Sequence, residues 1–196
     1  MKTLLVSAAL AAALTAPAAA SAQGMPAAVI AVVDLEKVTA SCNACKTANA
    51  ALQGQVNALK SRQQALSGPL NTEGQSIDAA AKALNGKAPD AALQARAKAY
   101  QTKLQQAQDE IGRQEDQIRR NTTYIQKQIL DKLGPIYQQV MQRRGANILV
   151  EQGATLATST SVDVTNDVLT ALNTALPSIA TVAPAPAQPK QQPQGR

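Results

Sequence analysis

The chain has 196 residues, with 19 Lys and Arg against 13 Asp and Glu, so its formal net charge is +6. It contains no His, which excludes Ser-His-Asp and Cys-His catalysis within one chain and any zinc site built on imidazole. It also has no Phe or Trp and only three Tyr, too few for a base-stacking platform, whereas its 40 Ala and 23 Gln favour long helices. We therefore expect no enzyme, no nucleic-acid binding, and no bound cofactor or metal.

The first 22 residues have the layout of a secretory signal peptide. Lys2 supplies the positive start, residues 4–14 are an apolar stretch, and Ala20-Ser21-Ala22 is a small-residue cleavage site. Eleven apolar residues are too few to span a bilayer, which needs about 20. We expect cleavage after Ala22 and export of the mature chain; the alternative is a buried N-terminal helix.

A β-branched run at residues 29–34 predicts a buried strand, and a helical pattern follows for more than 100 residues. Apolar residues recur at heptad spacing over 52–84 and again over 93–140. Between them, residues 85–90 combine a helix stop with a helix start. The Gly-Pro pairs at 68–69 and 134–135 predict kinks, and Arg143-Arg144-Gly145 predicts the end of the second helix.

Beyond Gly145 the pattern predicts two more strands, a helix and a tail. Ile148-Leu149-Val150 is expected to be the second strand and residues 155–158 the third, with a turn at Gln152-Gly153. Thr165 is expected to cap a last helix that ends before Pro177. The Pro, Ala and Gln composition of residues 178–196 predicts a disordered tail.

The fold class that follows is α+β. A small β-sheet body formed by residues 28–45 and 145–177 carries a long antiparallel helical hairpin, the coiled-coil arm of residues 46–144, with its tip near 85–90. A body this small usually needs an oligomer, a metal or disulfides for stability. We expect several copies to pool their cores through the apolar residues of the body: Val29, Ile30, Val32, Val33, Ile148, Leu149, Val150, Leu156, Val168 and Leu172.

Cys42 and Cys45 form the only reactive-looking motif, C-x-x-C. In an exported protein this spacing suits a local disulfide or two thiols on one helix. Redox activity is an alternative, because such motifs lower a thiol pKa at a helix start. A bridge or a metal shared between subunits is another, since one chain lacks the remaining ligands.

The tip of the hairpin is predicted to be basic and partly apolar. Between residues 79 and 108, five cations oppose Asp90 alone: Lys82, Lys87, Arg96, Lys98 and Lys103. Leu84, Leu93 and Tyr100 add apolar surface there. These side chains either form a solvated face and close the helix pair, or attract an acidic partner and contact an unfolded client protein.

Three stretches resemble the Skp/OmpH family of periplasmic chaperones: residues 29–35, 144–154 and 163–169. With the hairpin between them, the resemblance covers about residues 28–177. It implies a homotrimer whose sheets join in a barrel-like body, with three arms enclosing a cavity for unfolded outer-membrane β-barrel proteins. It also implies ATP-independent holding in the periplasm. A membrane surface or lipopolysaccharide is a further candidate partner.

The chain departs from the family's best-known form in its C-x-x-C motif, its Gly-Pro pairs and its Pro/Gln tail. Two other functions are alternatives. A structural coiled-coil scaffold or spacer of the envelope would bind folded partners, and a thiol oxidoreductase would turn over disulfides.

Overall fold

The structure is a computed structural model that describes residues 25–185. The predicted signal peptide and residues 186–196 of the predicted tail lie outside this range. Two short strands and four helices follow in chain order: β1 (Ile30–Val33), α1 (Leu35–Ser41), α2 (Asn43–Ala83), α3 (Ala91–Arg144), β2 (Ile148–Glu151) and α4 (Thr165–Ala175). Single 3-10 turns occupy Gln152–Ala154 and Thr160–Val162.

Helix ends lie where side chains can satisfy free backbone groups. Asp34 and Asp90 accept hydrogen bonds from the N–H groups of Lys37 and Leu93, both at 2.7 Å, at the starts of α1 and α3. Gly145 ends α3 in the left-handed conformation, with φ 66°, as its sequence predicts. Pro69 and Pro135 lie inside α2 and α3, and neither proline ends its helix.

The sheet pairs the two ends of the chain. β1 and β2 are parallel, with Ile30 opposite Ile148 and Val33 opposite Glu151. On the other side of β1, the N–H of Val164 donates to the carbonyl of Val32 at 2.8 Å. Both predicted strands therefore form, and they meet as expected.

The third strand predicted at residues 155–158 is wrong. These residues belong to no helix or strand, and Leu156 is fully exposed. The prediction relied on the β propensity of Thr and Leu, which acts only where a neighbouring strand supplies hydrogen bonds and packing. The segment before α4 bonds the free edge of β1 through the N–H of Val164, and residues 155–158 pair with neither strand.

Thr165 does not cap α4 as predicted, because it is the first helical residue. Its N–H donates to Oδ1 of Asp163 at 2.8 Å, so the Asp163 carboxylate serves the start of the helix. The Thr165 hydroxyl instead accepts a hydrogen bond from the N–H of Asp34 at 2.9 Å. Thr165 thus joins α4 to the end of β1.

The long helices α2 and α3 contact each other through polar side chains. Asn121 reaches Gln55, Glu110 reaches Arg62, and Arg96 reaches Glu73. Residues late in α2 therefore meet residues early in α3. None of the helices within residues 25–185 has an apolar stretch long enough to cross a membrane.

The hydrophobic core lies at one end of this helix pair. It joins β1 and α1 to α4, and the last part of α3 forms its wall through Ile125, Ile129, Leu133, Ile136 and Val140. The body predicted from sequence did not include this stretch of α3. Residues 178–185 begin the predicted disordered tail, but the structure lays them beside α2 and α3, with Ile179 against the core.

Candidate functional site

The turn between α2 and α3 carries the exposed cations predicted at the tip. Asn85 and Gly86 both adopt positive φ, 46° and 86°, which reverses the chain within a few residues. Four lysines near the tip have exposed side chains: Lys82 and Lys87 flank this turn, whereas Lys98 and Lys103 lie about 10 and 18 Å along α3 from its start at Ala91. Within residues 25–185, none of the four forms an ion pair. Their charges are therefore exposed to a partner, although the charge of Lys103 also contributes to the lowered pKa of Glu73.

Arg96 differs from the four lysines because it joins the two helices. Its Nε donates to Glu73 at 2.7 Å, and its Nη2 donates to the hydroxyl of Ser76 at 2.7 Å. The hydrogen bond from Arg96 lowers the pKa of the Glu73 carboxyl. The structure thus places Arg96 in the contact between α2 and α3.

The three apolar residues predicted at the tip are half-buried. Leu84 and Leu93 flank the turn. Tyr100 lies against α2, where its ring is close to the backbone of Gly74. Such residues are expected either to pack between the two helices or to contact a client protein. The position of Tyr100 matches packing between the helices.

The apolar residues predicted for oligomerisation separate into two groups. Val32, Val33, Val168 and Leu172 are buried in the core of this chain. Val29, Ile30, Ile148 and Leu156 are exposed large apolar side chains, and Leu149 and Val150 are half-buried. Apart from Leu156, the second group lies in or beside β1 and β2 and leaves apolar surface on the sheet that residues 25–185 do not cover.

Cys42 and Cys45 form a disulfide, and both residues are buried. Sγ of Cys42 also accepts a hydrogen bond from the N–H of Cys45 at 3.2 Å, which caps the start of α2. Among residues 25–185, no cluster of three or more His, Cys, Asp or Glu could hold a metal ion. The local disulfide is the alternative that this geometry matches.

Sequence reasoning missed two features at the base of the helix pair. One is an apolar groove of about 580 Å³ between α1 and the helix pair, lined by residues such as Leu52, Ile125 and Leu130. The other is a set of Gln and Asn side chains that bind residues 180–183. Glutamine is so frequent in this chain that no single Gln carries a signal.

Comparisons with known proteins agree with this architecture. The family model "Outer membrane protein (OmpH-like)" matches residues 29–172. A crystal structure of a candidate outer membrane chaperone (OmpH-like) from Caulobacter crescentus superposes with a TM-score of 0.65 at 17% identity. The superposition covers 80% of this chain and 90% of the other. Among curated proteins, none matches the chain.

Proposed function

The chain belongs to the OmpH-like family, and from that premise we propose that it is an ATP-independent holdase chaperone of the periplasm. Its clients are unfolded outer-membrane β-barrel proteins, held in a cavity between the helical arms of a homotrimer. The family match covers the sheet, both long helices and most of α4, which supports a chaperone role for the whole fold.

One observation carries this proposal: beyond the core, no residue of α2 or α3 is fully buried. The buried residues of α2 end at Ala48, and those of α3 begin at Asn121. The rest of α2, from residue 49 to its end at Ala83, extends for about 50 Å at 1.5 Å per residue. Beyond the core, the two helices therefore act as an antiparallel arm with exposed side chains along its whole length. A chaperone that holds unfolded clients needs an extended exposed surface of this kind.

The trimer places several arms around one client. The exposed apolar side chains of the sheet, including Ile30 and Ile148, and the exposed Leu156 beyond β2 supply the surface through which the bodies would pool their cores. Each arm then makes many weak contacts with the client. Because the body links the arms, these contacts together bind the client more tightly than one arm alone would. Folding of the client releases it, so no nucleotide is needed.

The lysines of the tip give the arms their preference for acidic clients. All four are exposed: Lys82 and Lys87 flank the turn, and Lys98 and Lys103 lie within the first four turns of α3. A concentration of positive charge speeds encounter with a negatively charged unfolded chain, and this effect weakens as salt rises.

Light scattering on a sizing column tests the proposal. The exported chain, starting at residue 23, is run alone and then after a urea-unfolded outer-membrane barrel protein is diluted into it. We expect a trimer that co-elutes with the client and keeps it soluble. A trimer that leaves the client to aggregate would contradict the holdase function and favour an envelope scaffold, whereas a monomer would contradict the architecture.

A further inference from the structure

Residues 179–183, which we call the strap, bind the base of the helix pair through their main chain. The N–H of Ala180 donates to Oε1 of Gln128 at 3.0 Å, and Nε2 of Gln128 donates back to the Ala180 carbonyl at 2.9 Å. The N–H of Ala183 donates to Oδ1 of Asn121 at 2.8 Å. A paired donor and acceptor on one residue is the pattern that a neighbouring strand would make.

Two further glutamines complete the contact. Nε2 of Gln55 on α2 donates to the carbonyl of Thr181 at 3.2 Å, and Nε2 of Gln117 donates to the carbonyl of Ala183 at 3.5 Å. Asn121 is 2% exposed and also bonds Gln55 and Gln117, so the side chains hold one another in place. We call Gln55, Gln117, Asn121 and Gln128 the amide row.

The spacing of the amide row matches an extended chain. Asn121 and Gln128 are seven residues apart on α3, a rise of about 10.5 Å. Ala180 and Ala183 are three residues apart, which spans about 10 Å when extended. Burial alternates along the strap, because Ile179, Thr181 and Ala183 are half-buried whereas Ala180 and Val182 are exposed.

The amide row therefore contacts the strap through its main chain, while the side chains of the strap alternate between half-buried and exposed. No side chain of the strap makes a hydrogen bond within residues 25–185, and Ile179 contributes only apolar packing against the core. Strands of outer-membrane barrels likewise send successive side chains to opposite faces of an extended chain. An unfolded barrel protein thus offers many segments of the required pattern.

We propose that the amide row is a binding site for extended peptide, and that the strap is its displaceable internal ligand. The identity of the competing ligand rests on the function proposed above; the site itself does not. If the strap occupies the site for about nine-tenths of the time, it lowers the apparent affinity for other peptides about tenfold. The chain's own C-terminal segment would then set how readily clients enter the base of the arm.

The first test releases the strap without touching the amide row. The double substitution A180P/A183P in the full exported chain removes the two N–H donors, and V182P is the matched control. The N–H of Val182 has no partner within residues 25–185. A synthetic peptide of residues 178–185 is then added to each protein, and NMR follows the side-chain amides of Gln55, Asn121 and Gln128.

We expect the peptide to return these amide signals of A180P/A183P towards their wild-type positions. In wild type and V182P the strap already occupies the site, so these amide signals should change little, and the peptide's own signals should show binding about tenfold weaker than to A180P/A183P. Adding Gln128→Glu to A180P/A183P removes the donor to the Ala180 carbonyl and should abolish the response. Amide signals of A180P/A183P that stay unchanged with peptide would overturn the site.

The second test asks whether a client takes the place of the strap. Hydrogen exchange at Ala180 and Ala183 is measured in the wild-type chain before and after binding of an unfolded outer-membrane barrel protein. Both amides should lose their protection from exchange when the client binds. A client that co-elutes while both amides stay protected would overturn the competition. A client that does not co-elute would contradict the chaperone function, and the peptide experiment would still decide the site.

Discussion

The ring of Tyr100 on α3 lies against the backbone of Gly74 on α2. A Cβ atom placed on Gly74 would meet the Tyr100 hydroxyl oxygen at 2.6 Å and its Cζ at 3.1 Å, both closer than ordinary van der Waals contact. The aromatic side chain therefore uses space that exists because residue 74 has no side chain. This contact joins the helices of the arm next to the ion pair of Glu73 and Arg96.

The contact predicts that Gly74→Ala and Tyr100→Ala are coupled. Alanine in a helix is favoured over glycine by about 1 kcal/mol, but at position 74 its methyl group must displace the tyrosine ring. In a double-mutant cycle followed by urea unfolding at one protein concentration, Gly74→Ala should stabilise the Tyr100→Ala background by about 1 kcal/mol and wild type by clearly less. Gly54→Ala, whose Cβ meets nothing within 4 Å, is the control that should stabilise both backgrounds equally. Equal effects at position 74 would contradict the contact.

Asp163 predicts a pH dependence of stability. Hydrogen bonds from the side chain and N–H of Thr165 lower the pKa of the Asp163 carboxyl. A lowered pKa in the folded state gives stability that is present above the unfolded pKa of about 3.9 and is lost as pH falls through the folded pKa. The free energy of unfolding of wild type should therefore decrease with acid more than that of Asp163→Asn, which keeps the acceptor and cannot titrate.

The disulfide predicts a loss of stability without a loss of capture. Cys42→Ser/Cys45→Ser removes a cross-link that closes four residues, worth about 2 kcal/mol by loop entropy, while the serine hydroxyl introduced at position 42 can still cap α2. Because both cysteines are buried, wild type should not speed the reduction of insulin disulfides by added dithiothreitol, and the variant should hold clients as wild type does. Turnover of insulin by the wild-type protein would support the oxidoreductase alternative.

The sequence predicts most of the fold because its strongest signals are local. Heptad stripes predict the two long helices, Asn85-Gly86 predicts the turn, and the β-branched runs near residues 30 and 149 predict the paired strands. The third strand was wrong because strand formation depends on a neighbour that the pattern alone does not supply.

Prediction of the candidate site was less complete. Unpaired charge can be counted along a chain, and the tip lysines are exposed as expected. Whether Arg96 is free or paired depends on Glu73, 23 residues away, which composition does not reveal. The amide row escapes prediction for the same reason, since Gln55 and Asn121 are separated by 66 residues.

The tip lysines predict a salt-dependent capture of acidic clients. Replacing Lys82, Lys87, Lys98 and Lys103 with Gln should weaken binding of an unfolded acidic barrel protein about tenfold at low salt, if each exposed charge contributes roughly 0.3 kcal/mol. The difference should shrink above about 0.1 M salt. Arg96 is left in place because it pairs with Glu73. Replacing four lysines outside the tip that form no ion pair within residues 25–185, Lys37, Lys46, Lys60 and Lys132, gives the same net charge and should weaken capture less. Equal effects of the two sets would mean that net charge alone decides binding.

The exposed apolar residues at the sheet predict where the subunits meet. Ile30 and Ile148 lie opposite each other in the register of β1 and β2, and they are 47% and 41% exposed. Lysine at both positions is tolerated in a single chain, because the side chains already reach solvent. In a trimer with pooled cores the same substitutions bury unpaired charges, at a cost of several kcal/mol each.

Ile30→Lys/Ile148→Lys should therefore convert a trimer into a helical monomer, seen by light scattering and circular dichroism. The midpoint of thermal unfolding should rise with protein concentration for wild type and stay constant for the variant, since only association makes it depend on concentration. Val56→Lys is the matched control, because Val56 is 43% exposed and lies on the arm, and it should remain trimeric. A double variant that still elutes as a trimer would show that the subunits join through a different surface.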